Sequence, residues 1–534
     1  LEDFENLEAT RAIREDEELS ALLLADPEWL SLQKRVNPAH YQILRSLLRN
    51  FVETWLGREV SLALAPPSAE TRKAGEAVGS IRRTGLILIA RTDIGFEENL
   101  AELAIQLIPQ ARLSRRDYRE HILTVYEAPK EHDGFAYCRF GKTVVLSLRS
   151  ADPRWLMDLV DRKIALESGE KHQAGPSLAE APAFVAARDW TGGAKGLRAH
   201  INPASLPRAL RRLPFKGSDD PKYNFWVEYL EEEWGLFEWA ALKLDLENGL
   251  TLDGHWRVRP EERRAWRAVA AHPLSPAFPR FEELLSSFPA ETSVAAQTRH
   301  PDIRANLGRL HGRLKNSILF RKDIEDFEKD WLEMTGLDPR TDFLNPLDEG
   351  LGLALTGLAG GAFFPIPQGL VWWNCDSDAK AESVVLKING RRLDPEKALV
   401  ALFARMRAFA RARRVWVQVN APIPKEADET AAPESRIPGL PPDSGNTHLA
   451  PIYLEHLPEF QASQVTLCAV VDFRKAHAQL RQIHAAAALW SKDVRKNVHR
   501  WEAAMAILQR LKSARLLLVN EPEGARLLLR IDAE

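Results

Sequence analysis

The sequence predicts an α+β fold of two related modules, each a largely antiparallel sheet covered by helices. Three observations predict it. Strand-like runs end on a polar cap and lead into helical patterns several times along the chain. Turn signals close antiparallel hairpins. A set of landmarks also recurs in the same order, roughly 275–290 residues apart.

The first landmark is a short run into an arginine. Glu5-Asn6-Leu7-Glu8-Ala9-Thr10-Arg11 is answered by Val294-Ala295-Ala296-Gln297-Thr298-Arg299. The second is an alternating strand, Val60-Ser61-Leu62-Ala63-Leu64, answered by Leu351-Gly352-Leu353-Ala354-Leu355. Each half closes on a hairpin: Ala241–Asp245 turning at Asn248-Gly249, and Arg515–Val519 turning near Glu523-Gly524. Asn-Gly suits the left-handed backbone of a two-residue turn.

Between these landmarks the strand, cap and helix unit repeats. Leu86–Ala90 runs to Asp93 and a helix over Glu97–Leu107, and Val144–Leu148 runs to Asp152-Pro153 and a helix over Trp155–Ile164. In the second half Leu370–Trp373 leads past Asp376 and Asp378 to a helix over Ala379–Leu386. Ala469–Val471 meets Asp472 and a helix over Arg474–Ile483. Each aspartate sits where its carboxylate can accept free amide hydrogens of a first helical turn, so capping rather than acid chemistry explains it. Asn202-Pro203 and Asp394-Pro395 repeat the arrangement, with proline where no helical amide is needed.

Longer helices are expected over Tyr41–Trp55, Ala268–Leu285, Glu396–Arg413 and Trp490–Leu511. In the third, Leu399, Leu402, Phe403, Met406 and Ala410 share one face at helical spacing. Prolines place a connection at 273–289, between a first module at 1–272 and a second at 290–534. That boundary conflicts with a continuous Ala268–Leu285 helix. A proline-rich excursion at 421–451 is too long for an ordinary connection and reads as a docking arm or a surface loop.

Composition limits the function. The 534 residues suit two modules, with 45% hydrophobic and 28% charged residues, as in folded proteins. A net charge of -3 argues against a dedicated nucleic-acid binder, whose affinity comes from cations on phosphates. No long uncharged apolar run offers a membrane span. Cys138, Cys375 and Cys468 lie far apart and read as small buried side chains.

No catalytic, cofactor-binding or metal-ligating residue is predicted. Ser31-Leu32-Gln33-Lys34 matches SxxK but lacks the partner elements of that chemistry. His477 and His484 share a helical face without a third ligand. Gly192-Gly193-Ala194-Lys195-Gly196 lacks the order of a phosphate loop and reads as a turn before the strand Leu197–Ile201. Arg405, Arg407, Arg411, Arg413 and Arg414 make the Glu396–Arg413 helix basic, either as a solvated face or as a contact for an acidic partner or anionic headgroups. The aromatic stretch Tyr223, Phe225, Trp226, Tyr229, Trp234, Phe237 and Trp239 reads as a buried helix stripe sooner than a ligand groove. Trp372 and Trp373 point to opposite faces of one strand, which implies burial on both sides.

The opening Glu5–Arg11, the phrase Leu56-Gly57-Arg58-Glu59-Val60-Ser61-Leu62-Ala63-Leu64, and Pro176-Ser177-Leu178-Ala179-Glu180-Ala181-Pro182-Ala183-Phe184 together resemble a bacterial family of large envelope proteins built from two related α+β modules. Leu347–Leu351 echoes the second phrase only loosely, and the proline-rich excursion is extra. The resemblance implies a signal or membrane anchor upstream of Leu1 and a periplasmic or exterior location. The function expected is a non-enzymatic structural or accessory protein engaging another envelope protein. A carrier of a lipid or other apolar ligand is the alternative, and an enzyme without visible motif the third.

Overall fold

The computed structural model describes residues 60–65, 85–91, 112–127, 135–148, 154–168, 180–192, 197–204, 206, 220–245, 249–270, 280–359, 365–390, 405–420, 449–454, 465–490 and 498–533. These form a mixture of helices and antiparallel sheets. The expected features at Glu5–Arg11, Ser31–Lys34, Tyr41–Trp55, Glu97–Leu107, Asp93, Asp152, Asp394 and 421–448 lie outside the described residues.

Residue contacts divide the chain into two compact units. Among the described residues, one takes those within Leu24–Gly192 and His200–Ala240, and the other those within Gly193–Ala199 and Ala241–Glu534.

In the first unit β1 (Val60–Ala65), β2 (Gly85–Arg91), β3 (Arg112–Tyr118), β4 (His121–Glu127), β5 (Phe135–Phe140) and β6 (Thr143–Leu148) form a six-stranded sheet in the order β1-β2-β6-β5-β4-β3. Two-residue turns join β3 to β4 and β5 to β6. Arg119 (φ 48) and Glu120 (φ 67) turn β3 into β4, and Gly141 (φ 59) begins the turn from β5 to β6. Alternation puts Leu123, Val125, Ala136, Cys138 and Val145 into one core with Leu156 and Val160 of α1 (Arg154–Glu167). The Tyr118 hydroxyl lies 2.8 and 3.0 Å from the Asp161 carboxylate oxygens of α1, which also pairs with Arg119 at 3.1 Å. Two further helices are α2 (Pro182–Thr191) and α3 (Pro221–Trp234), the latter capped where Lys222 N–H donates to Asp220 at 2.8 Å.

The remaining strands are β7 (Leu197–Ile201), β8 (Phe237–Asp245), β9 (Leu250–Val258), β10 (Val294–Arg299), β11 (Leu347–Ala359), β12 (Ile366–Cys375), β13 (Met406–Arg411), β14 (Arg414–Val419), β15 (Val465–Asp472), β16 (Leu511–Glu521) and β17 (Gly524–Ala533). They make an eleven-stranded sheet in the order β13-β14-β12-β11-β10-β15-β16-β17-β9-β8-β7. Both turn-signalled hairpins are present. They join edge to edge, β17 pairing antiparallel with β9 from Gly524↔Arg257 to Ile531↔Leu250.

The second unit buries β12 on both faces, as its paired tryptophans predict. Trp372 lies in a core with Phe281, Leu285 and Phe288 of the α5 segment (helix Phe281–Ser287), Tyr453 of α9 (Leu449–Leu454) and Trp416. Trp373 lies in another, under Ile303 of α6 (Ile303–Asn316), Phe343 of a π-helical turn (Pro339–Leu344), and Ala381, Val384 and Ile388 of α8 (Asp378–Gly390). The remaining helices are α4 (Arg263–Ala270), α7 (Arg321–Thr335), α10 (Phe473–Trp490) and α11 (Val498–Gln509). Asp472 caps α10 as expected, accepting from Lys475 N–H at 3.2 Å, and Asn202 accepts from Ala204 N–H at 3.1 Å. Asp378 instead accepts from Arg413 N–H at 2.7 Å, tying α8 to the β13–β14 turn.

Three helix expectations are corrected. Met406 and Ala410 belong to strand β13, not to a helix over Glu396–Arg413, and residues 391–404 lie outside the described residues. Ala412 (φ 48) and Arg413 (φ 60) turn the chain back, and β14 then pairs with both β13 and β12. The ladder offered by β14, which is itself paired with β12, overrides a local preference for helix. Ala268–Leu285 is not continuous, because Arg280 (φ -65, ψ 145), following Pro279, is extended before α5. Finally, Leu511 opens β16 instead of ending a helix.

The 273–289 segment ends in α5, whose Phe281, Leu284 and Leu285 are core side chains.

Candidate functional site

The sequence-flagged residues scatter. The arginines at 405–414 lie on a strand hairpin and not on a helix; by register Arg407, Arg411 and Arg414 share one sheet face, and Arg413 lies in the turn. Arg414 is buried. Its Nε donates to Asn374 at 3.1 Å, its guanidinium lies 5.3 Å from the Trp416 ring, and burial with neighbouring Arg299 pushes it down to about 10. Arg407 covers Phe409 at 4.8 Å. The aromatic stretch is no buried stripe either. On α3 only Val227 is buried, and Trp226, 40% exposed, meets Phe225 and Tyr229 edge-on. Trp239, on β8, is buried.

His477 and His484 both lie on α10. The His484 ring lies 5.1 Å from that of Trp501, and burial pushes its pKa down. Among the described residues no group of three His, Cys, Asp or Glu side chains could hold a metal ion. Gly192 ends α2 and β7 begins at Leu197, with residues 193–196 outside the described residues. The three cysteines are buried and free. Burial pushes Cys138 up to about 11 and Cys375 up to about 12, and raises Cys468 as well.

The densest polar group in the second unit's interior lies across one end of the sheet. Arg299 stands opposite Gly350, and Asn374 opposite Arg414. Burial pulls the Arg299 pKa down, while Cys468, Glu349, Glu282 and Tyr453 act on it electrostatically in the other direction. Burial in turn raises the Tyr453 hydroxyl. On the same core face Arg515, 1% exposed, donates to Ile452 O at 2.7 Å and so ties α9 to β16. Two of these cations join elements directly, Arg515 linking β16 to α9 and Arg414 linking β14 to β12.

The surface best formed for contact is the helical hairpin α6–α7, which sequence reasoning passed over. Leu307 and Trp331 pack onto the Trp373 core, and the Trp331 ring lies tilted against those of Phe327 and Phe343, with centroids 5.8 and 5.6 Å away. Glu328 clamps the two helices. It accepts from Lys315 Nζ at 2.7 and 2.9 Å and lies 2.9 Å from His311 Nε2. Burial alone would raise the Glu328 carboxyl, but its hydrogen bonds and electrostatic interactions with Lys315 and His311 hold it below its ordinary value. Gly336 (φ 73) ends α7 in the left-handed conformation that glycine adopts freely.

Outside this inner stripe α7 remains open. Phe327 is 50%, Leu332 49% and Met334 38% exposed, and the turn between the helices carries Ile318 at 89% and Leu319 at 37%. A signal was available in the sequence. Apolar residues at 320, 324, 327, 331 and 334 follow helical spacing and exceed what one buried face needs.

Comparison with known protein families, curated proteins and solved structures finds no match for this chain.

Proposed function

We propose that the chain is a non-enzymatic accessory or structural protein of the bacterial envelope, working outside the cytoplasm and engaging another envelope protein through the α6–α7 hairpin. The observation that carries this reading is the set of exposed apolar side chains on α7, Phe327, Leu332 and Met334, on a helix held rigidly from beneath by Trp331 and Glu328. Large apolar groups in solvent on a well-anchored element are what a partner surface needs. The envelope location and an anchor upstream of Leu1 rest on the family resemblance.

We also infer that the chain comprises two related α+β modules. β1 pairs with β2, and β2 with the second strand of the β5–β6 hairpin. In parallel, β11 pairs with β12, and β12 with the second strand of the β13–β14 hairpin. The β8–β9 and β16–β17 hairpins match in the same way, and β9 pairs antiparallel with β17. Duplication yields an extended face without requiring any reactive group.

The test is native affinity purification from membranes of the source organism, followed by mass spectrometry under non-denaturing conditions. A stoichiometric partner protein is expected with the wild-type chain and not with the Phe327→Asp/Leu332→Asp variant. A lone chain retaining a lipid-sized mass would refute the reading in favour of an apolar-ligand carrier.

A further inference from the structure

We propose that the tip of the α6–α7 hairpin is a contact for an anionic lipid surface. This goes beyond the partner-protein reading and does not depend on it.

Ile318 has the greatest exposure of any large apolar side chain among the described residues, 89%, and Leu319 beside it is 37% exposed. Both sit in the turn between two helices that are clamped together by Glu328, so the tip is a fixed feature of the surface. Its surroundings are basic. From Ile303 to Lys322 the chain holds Arg304, Arg309, Arg313, Lys315, Arg321 and Lys322 and neither Asp nor Glu. Arg313 belongs to the last turn of α6, where Lys315 is engaged by Glu328, and Arg321 and Lys322 belong to the first turn of α7, so cations from both helices border the apolar turn. Long cationic stems can lie along apolar surface while their heads reach headgroup phosphates.

The charges also select an orientation. Asp323, Glu325, Asp326, Asp330 and Glu333 follow along α7. A negatively charged surface therefore repels the flank of α7 and accepts the hairpin end-on.

Size decides between a bilayer and a protein groove at this tip. Two exposed apolar side chains cannot bury the roughly 1,200–2,000 Å² typical of a stable protein interface. They are enough for weak interfacial insertion, which gains from cations and from any second attachment of the same chain.

The test is flotation of the purified chain with vesicles of phosphatidylcholine alone or enriched in phosphatidylglycerol. Binding is expected only to the anionic vesicles and is expected to fall as salt rises. Ile318→Asp/Leu319→Asp should lower partitioning by about tenfold or more. Leu386→Asp, on α8 and 73% exposed in the wild type, should leave it unchanged. An environment-sensitive dye on Ile318→Cys should shift to the blue with anionic vesicles, the native cysteines being buried. The Phe327→Asp/Leu332→Asp variant should still float, which separates this contact from partner binding. Failure of the wild type to float, equal flotation of the tip variant, equal binding to neutral vesicles, or an unshifted dye on floating protein would each overturn the proposal.

Discussion

Replacing Gly352 with alanine should disrupt the second unit's main core. A Cβ built at Gly352 would stand 2.1 Å from Cζ2 and 2.3 Å from Cε2 of the Trp372 indole. Carbon atoms pack best at about 3.5–4.0 Å, so the ring would have to retreat by roughly 1.4 Å. It has nowhere to go. Trp372 is 0% exposed, stacked on Trp416 at 5.7 Å on one side and against Phe288 at 5.7 Å on another. Overpacking of this kind costs about 3 kcal/mol at the upper end of its usual range, and alanine recovers only about 0.5–1 kcal/mol of strand preference over glycine. The net loss is about 2 kcal/mol. Hydrogen exchange followed by mass spectrometry isolates this sheet within a multi-unit chain. Amides of β11 and β12 should exchange about 30-fold faster in the variant, through openings of the folded unit. Trp372→Leu frees the space, so adding Gly352→Ala to that variant should cost little more. Unchanged exchange in Gly352→Ala, or simple additivity in the double variant, would refute the steric account.

Other outcomes follow from the same structure. Burial, followed by the Arg257 and Arg526 charges, pushes His255 down to about 4, while Asp253 and Glu523 act against this. Its unfolded form takes up a proton near pH 6.5, before the folded form does. Stability should therefore fall as pH drops from about 6.5 towards 4, by up to about 3 kcal/mol. The Glu521 carboxyl, 3.7 Å from the ring and raised by burial, opposes this at the lower end of the window. Urea unfolding across that range should show the slope in wild type and a flatter profile in His255→Phe. Arg526 grips Asp253 with two bonds of 2.9 and 3.0 Å across the β9–β17 seam. Arg526→Lys loses the paired geometry and should cost about 1–2 kcal/mol, read as faster exchange of β9 and β17 amides. Cys138, Cys375 and Cys468 should resist a thiol reagent until the chain is unfolded, whereas rapid native labelling would contradict their burial.

Much of this architecture is legible in local pattern. Strand-like runs ending on a polar cap located β2, β6, β12 and β15, and the helices after β6, β12 and β15 follow their strands as expected. The adjacent Trp372 and Trp373 announced two cores because successive strand residues face opposite sides. The α6–α7 surface was harder to see, because apolar residues beyond the buried stripe look like core until their exposure is known.

What the sequence by itself determined was periodicity: which segments extend, which coil, where hairpins turn, and that strands precede capped helices. Tertiary structure alone decided the pairing. Residues 406–411 carry a helical spacing, yet they are a strand because β14, itself paired with β12, supplies a ladder. The β8–β9 hairpin meets β16–β17 across more than 250 residues of chain, a choice made by complementary edges and side chains such as Asp253 and Arg526. The same holds for Arg299 and Arg414, 115 positions apart in sequence, which the sheet brings to one end of a core. Period is a property of neighbours along the chain. Partnership depends on which surfaces remain unburied after each element has formed, and no local window contains that information.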